Sequence, residues 1–188
     1  MAALPWICYA LEEPMSNVRN ITHVVVPGTF DPVTYGHMDV IARARRLFPQ
    51  VTVAVAASVG KNGTGPVFSL DERVEMISSA LADGSESFEG VEVKPFTGLL
   101  MNFCHEIGAG GVVKGLRAMT DFEYELQQAD LNYRLSPGVE SIFVMGSPEF
   151  GYVSSSIVRE LANLGSDVSF LVPPVVAQRL KERFGDGR

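Results

Sequence analysis

Short apolar runs alternate with stretches of helical period from Val24 to Phe184, and this alternation leaves parallel β-α-β units as the architecture the chain can build. Five strands are predicted, near Val24 to Val26, Val51 to Ala57, Val91 to Phe96, Val112 to Lys114 and Ser141 to Met145. The segments between them carry helix ends. Ser69 with Glu72 makes an S-x-x-E capping box before a helix whose Leu70, Val74, Ile77 and Leu81 share one face. Thr120 with Glu123 repeats that signal, Gly108 and Gly165 suit helix C-termini, and Pro173-Pro174 suits the opening of a last helix ending near Phe184. The expected fold class is α/β, a single doubly wound domain around a five-stranded parallel sheet. In such a sheet ligands bind outside the carboxyl ends of the strands, near the point where strand order reverses.

At 188 residues, with 46% hydrophobic and 20% charged, the chain is long enough for one well-buried domain and short for two. That domain is expected to span residues 21–188. Residues 1–20 read as an accessory or disordered tail, because Pro5, Pro14, Glu12 and Glu13 interrupt the apolar stretch and no basic residue precedes Arg19, which disfavours a signal peptide or a membrane span. Fifteen basic residues against 22 acidic ones give a net charge of -7, which argues against nucleic-acid binding through a basic face. An anionic ligand must therefore meet a local basic pocket. The two cysteines, Cys8 and Cys104, have neither disulfide-framework nor metal-ligand spacing, so a reducing, cytoplasmic setting is expected.

The segment His23 to Asp39, HVVVPGTFDPVTYGHMD, carries the most chemistry. Val24 to Val26 read as a buried strand, and Pro27, Gly28, Asp31 and Pro32 stop it and mark a turn. His37 then falls in the first turn of a helix, where backbone N–H groups and the helix dipole favour a phosphate. Its motif TxGH, Thr34 to His37, resembles the HxGH signature of the nucleotidyltransferase superfamily. His23 and His105 occupy no such setting and read as ordinary strand-end and helix residues.

Four blocks in order extend the likeness: PGTFDPVTYGH (Pro27 to His37), KGLRAMTDFEYE (Lys114 to Glu125), the QxxxxN of Gln127 to Asn132, and SSSIVRE (Ser154 to Glu160). Together they resemble the bacterial phosphopantetheine adenylyltransferase family over nearly the whole chain. The resemblance implies a Rossmann-like domain, transfer of AMP from ATP to 4'-phosphopantetheine, release of pyrophosphate, Mg2+ as cofactor and a homohexamer. It assigns catalysis to His37, Lys61 and Arg117. ATP would meet Thr29, Phe30, His37, Gly115, Leu116, Arg117, Glu125 and the run Phe150, Gly151, Tyr152, Val153, Ser154, Ser155 and Ser156. The acceptor would meet Thr29, Lys61, Leu100, Lys114 and Asn132. This chain departs from the family in three places: Lys114 stands where many relatives carry Arg, Gly151 where serine is usual, and extra residues separate Lys61 from Phe68.

The implied chemistry needs no nucleophilic side chain. The attacking group is a phosphate monoester, whose second pKa is about 6, so it is already mostly dianionic at neutral pH. The obstacle is repulsion between anions, and a catalyst must hold them in line while neutralising charge that builds on the α-phosphate and the leaving pyrophosphate. On that logic His37 donates to the α-phosphate, Arg117 serves the ATP phosphates, and Lys114 supplies a compact charge for the acceptor phosphate. Glu125 suits nucleotide hydroxyls better than phosphates. Magnesium would ride on the triphosphate with few protein ligands. Two competitors are a neighbouring transferase, such as a nicotinamide-mononucleotide adenylyltransferase or a glycerol-phosphate cytidylyltransferase, and a noncatalytic nucleotide-binding regulator. Thr34 and SSSIVRE argue against the first, and intact His37, Lys114 and Arg117 against the second.

Overall fold

The computed structural model describes residues 20–57, 65–83, 88–117 and 119–185. Strands β1 (His23–Gly28), β2 (Gln50–Ala56), β3 (Val91–Phe96), β4 (Gly111–Leu116) and β5 (Glu140–Met145) alternate with helices α1 (Tyr35–Leu47), α2 (Leu70–Ala82), α3 (Leu100–Glu106) and α4 (Met119–Leu135). A single 3-10 turn, Pro148–Phe150, leads to α5 (Ser155–Asn163) and α6 (Pro174–Phe184). The strands form one sheet in the order β3-β2-β1-β4-β5 with every neighbouring pair parallel. This is the predicted five-stranded α/β architecture, and each predicted strand lies within a residue or two of an observed one.

Alternation along β1 divides the core. Val24 and Val26 pack with Ile41 of α1, Ile77 of α2, Val158 of α5 and Leu180 of α6, whereas Val25 turns to the other face, against Met101 and Cys104 of α3. Phe122 of α4 meets Phe143 of β5 edge-on at 6.0 Å between centroids, and α4 thereby covers the α3 side. Helix ends follow the sequence signals. Ser69 and Glu72 exchange both capping-box bonds, at 3.2 and 2.7 Å, and Gly108 and Gly165 take φ of 68° and 78° just past α3 and α5, where a side chain would be strained. The second helix start differs from the expected one. Helix α4 already begins at Met119, so Thr120 lies inside the first turn rather than ahead of it; Thr and Glu are both accepted in a first turn, and the S/T-x-x-E spacing alone does not fix the boundary.

The sheet also explains where a ligand could enter. Pairing of β1 with β2 runs the length of the strand to Gly28↔Val55, but pairing with β4 ends at Val25↔Val112. The Gly110 N–H donates to the His23 carbonyl, which sets the backbone groups of His23, Val25 and then residue 27 toward β4. Residue 27 is proline and has no N–H to give. The two strands therefore part at their carboxyl ends, where strand order reverses, and a crevice opens between them. Helix α1 closes its back, with Val40 lying so near Gly115 that a Cβ there would fall 2.3 Å from Val40 Cγ2.

Candidate active site

Thr34 and His37 form a capping box that the sequence does not announce. Thr34 is the N-cap of α1; its hydroxyl accepts the His37 N–H at 3.4 Å, and its own N–H donates to His37 Nδ1 at 3.1 Å. Because Nδ1 accepts, the ring proton sits on Nε2, the nitrogen left to face the crevice. The Phe30 ring holds the imidazole edge-on at 5.0 Å between centroids. Phe30 is buried and takes φ of 49°, a conformation favoured by glycine, so the turn after β1 holds this ring in place at the expense of local backbone strain. Burial, with the Arg117 charge adding to it, lowers the His37 pKa to about 4. His37 is thus a neutral, preoriented N–H donor rather than a third cation.

The crevice has a volume of about 380 Å3 and gathers Phe30, His37, Lys114, Gly115, Arg117, Glu125, Phe150, Val153 and Ser154 to Ser156. Lys114 Nζ lies 3.3 Å from Glu125 Oε2, an atom that is buried and accepts no hydrogen bond. A donor from a ligand could use it. Arg117 Nη1 donates to the Val153 carbonyl at 2.8 Å, which ties the end of β4 to the entry of α5. Two of the three serines are spent on the protein itself. The Ser154 hydroxyl caps α5 through the Ile157 N–H at 3.2 Å, and the Ser155 hydroxyl donates to the Pro32 carbonyl at 2.8 Å. An anion at this helix start would meet the first-turn N–H groups of Ser155 and Ser156, which have no intrahelical acceptor, and the Ser156 hydroxyl, which accepts from Arg159 Nη2 at 3.4 Å.

A second recess, of about 850 Å3, lies at the opposite, amino ends of β1 and β4. Its histidines are paired within the protein, His105 Nε2 with Ser136 Oγ at 2.7 Å and His23 Nε2 with Thr52 Oγ1 at 2.9 Å. None of the four sequence blocks reaches it, so the crevice is the candidate site.

A cytidylyltransferase-like family model matches residues 25–161, from β1 into α5. The phosphopantetheine adenylyltransferase of Hahella chejuensis is 47% identical over 161 residues, 86% of this chain and 96% of that protein. That of Methylobacillus flagellatus is 51% identical over 157 residues, 84% of this chain and 94% of that protein. The chain belongs to the phosphopantetheine adenylyltransferase family. The likeness to solved structures shows the shared fold: a bifunctional NMN adenylyltransferase/ADP ribose pyrophosphatase from Francisella tularensis superposes with a TM-score of 0.63 at 15% identity, over 89% of this chain and 52% of that one.

In this member of the family not every residue singled out in the sequence lines the crevice. Thr29 is exposed just outside it, Leu116 turns into the core, Tyr152 is 63% exposed, and Gly151 turns the chain after the 3-10 segment. Leu100 opens α3 beyond β3, and Asn132 is half-buried two turns along α4 from Glu125. Lys61 lies outside the described residues.

The structure adds residues that the sequence reading missed, and all of them fix loops. Asp39 Oδ2 accepts from Arg43 Nε at 2.9 Å and from the Ser147 N–H at 2.8 Å, locking α1 to the segment after β5. Asp31 accepts the N–H groups of Val67 and Phe68 at 2.9 and 3.0 Å, and Arg159 of α5 donates to the Asp31 carbonyl. One signal was readable. Arg73 interrupts the apolar stripe of α2 between Leu70 and Ile77, and a charge on a core-facing stripe needs partners.

Proposed function

We propose that the crevice transfers AMP from ATP to 4'-phosphopantetheine, giving dephospho-coenzyme A and pyrophosphate. The observation that carries this reading is the convergence of His37, Lys114 and Arg117 on one crevice in a chain 47% identical, over 86% of its length, to a phosphopantetheine adenylyltransferase. The acceptor phosphate attacks the α-phosphorus as a dianion, and pyrophosphate leaves on the opposite side. His37 Nε2–H donates to an α-phosphate oxygen and gains strength as charge accumulates there, which places its contribution in the transition state. Arg117 offers planar donors to the nucleotide phosphates, and Lys114 a compact charge to the acceptor phosphate, with Lys61 as a further cation. Glu125 accepts from the nucleotide hydroxyls, which satisfies the oxygen that stands buried without a hydrogen bond.

Thr29 and Phe30, with the run Phe150 to Ser156, form the rest of the nucleotide site in this reading, while Leu100 and Asn132 serve the pantetheine arm. Among the described residues no group of three or more His, Cys, Asp or Glu is placed to hold a metal ion. The Mg2+ that this reading implies would ride on the triphosphate, keep most of its waters and neutralise phosphate charge. We further assign residues 21–188 to one catalytic domain with 1–20 as an accessory tail, a cytoplasmic setting, and assembly as a hexamer. Exposed Leu126, Leu131, Tyr133 and Leu135 on α4 support an assembly face. No helix among the described residues is long and apolar enough to cross a membrane.

Acceptor choice tests the reading. Purified protein given ATP and Mg2+ is expected to release pyrophosphate with 4'-phosphopantetheine and not with nicotinamide mononucleotide or pantothenate. Turnover confined to nicotinamide mononucleotide would place the chain's activity with the neighbouring transferases instead.

A further inference from the structure

Arg73 is 2% exposed, which makes it the largest of the fully buried side chains. Among the described residues its guanidinium donates only to backbone carbonyls: Nε to Phe68 and Ser69 at 3.1 and 3.2 Å, and Nη1 to Thr29 at 2.6 Å and Ala56 at 2.9 Å. The last two sit at the carboxyl ends of β1 and β2, beside the rim where the candidate site lies. Among the described residues no carboxylate pairs with Arg73 directly, and Asp31 supplies the counter-charge from a distance. Bringing a guanidinium into the core is costly without such partners, and a hydrophobic residue would fill the stripe of α2 more cheaply. Filling the stripe does not account for the charge.

The bond to Thr29 does. The peptide between Thr29 and Phe30 is trans, since the cis bond of this loop is Asp31-Pro32, so the Phe30 N–H points away from the carbonyl that Arg73 holds. A cation on the carbonyl polarises the peptide and makes that N–H a stronger donor. The same contact also fixes the turn that keeps Phe30 at φ 49° and against His37. We propose that Arg73 is a positioning residue for the nucleotide phosphates, acting through the Thr29-Phe30 peptide, whose N–H serves as an anion donor. The inference rests on the adenylyl-transfer reading only for its nucleotide half, because it concerns binding of phosphate oxygens and not the acceptor.

Two variants, Arg73→Lys and Arg73→Met, test it alongside calorimetric titration with ATP and with inorganic pyrophosphate. In folded variants, affinity for both ligands is expected to fall by about tenfold or more, with lysine restoring part of what methionine loses. A folded variant with wild-type ATP affinity, or one that loses kcat only in proportion to its folded fraction, overturns the proposal. Should both variants fail to fold, the 15N-labelled wild type decides: pyrophosphate must shift the Phe30 amide resonance, and an unmoved resonance refutes the role. If phosphopantetheine proved not to be the acceptor while the ATP titration still depended on Arg73, the functional reading would fall and this inference would stand.

Discussion

Replacing His37 with alanine is expected to lower kcat and kcat/KM together by about 10²- to 10³-fold, with ATP affinity little changed. The imidazole is held at Nδ1 by the Thr34 N–H and on its edge by the Phe30 ring, so its Nε2–H is already aimed before substrate arrives. A donor of this kind is worth most where negative charge develops, and little in the ground state. Steady-state kinetics separate the cases: a rise in KM at unchanged kcat would show that His37 merely binds. The same substitution carries a pH signature. An unfolded imidazole takes its proton near 6.5 and the folded one only near 4, so the unfolded state binds more protons between those values and stability falls as pH drops through them. Denaturant titrations should show that part of the fall in the wild type and not in His37→Ala.

Gly115→Ala is expected to be the most damaging small substitution outside the chemistry. The added carbon would fall 2.3 Å from Val40 Cγ2, and a valine in a helix has one strongly preferred rotamer, so it cannot swing aside freely. Either α1 lifts from the sheet or β4 shifts, at a cost of about 1–3 kcal/mol. Because Gly115 lies between Lys114 and Arg117, the shift also moves both cations. Urea unfolding should show the loss, and Val40→Ala in the same background should recover much of it, with a coupling energy of about 1 kcal/mol or more. Additive effects of the two substitutions would show that the close approach does not matter.

The parts of this molecule that follow from local pattern were legible in its sequence. The five strands, the Ser69-Glu72 box, the glycines past α3 and α5, and the opening of α6 at Pro174 all rest on periodicity and turn chemistry within a few residues. The crevice was legible in part, because motif residues at strand ends must converge on one rim. What pattern could not supply was pairing across long separations. Asp39 meets Ser147, Ser155 meets Pro32 and Arg73 meets Thr29 through hydrogen bonds that leave no periodic trace. The charge state of His37 was likewise hidden, since it depends on burial and on Arg117, 80 positions along the chain. Pro27 reads as a strand breaker, yet β1 continues through it to Gly28, and its effect on one neighbour and not the other emerges only from the sheet order.

In the proposed reaction the two anions react directly, with no adenylylated enzyme between them. In the crevice His37 carries its proton on Nε2 and spends Nδ1 on Thr34, while Ser154 and Ser155 hydroxyls are engaged in capping and tying the loop. Cys104 lies in the core on the α3 face with its thiol pushed up to about 11 by burial. The most direct measurement is the stereochemical course at the α-phosphorus, using ATP made chiral there by isotopic oxygen and reading the configuration of the product. A single in-line displacement predicts inversion. Retention would mean two displacements through a covalent intermediate and would rule direct transfer out.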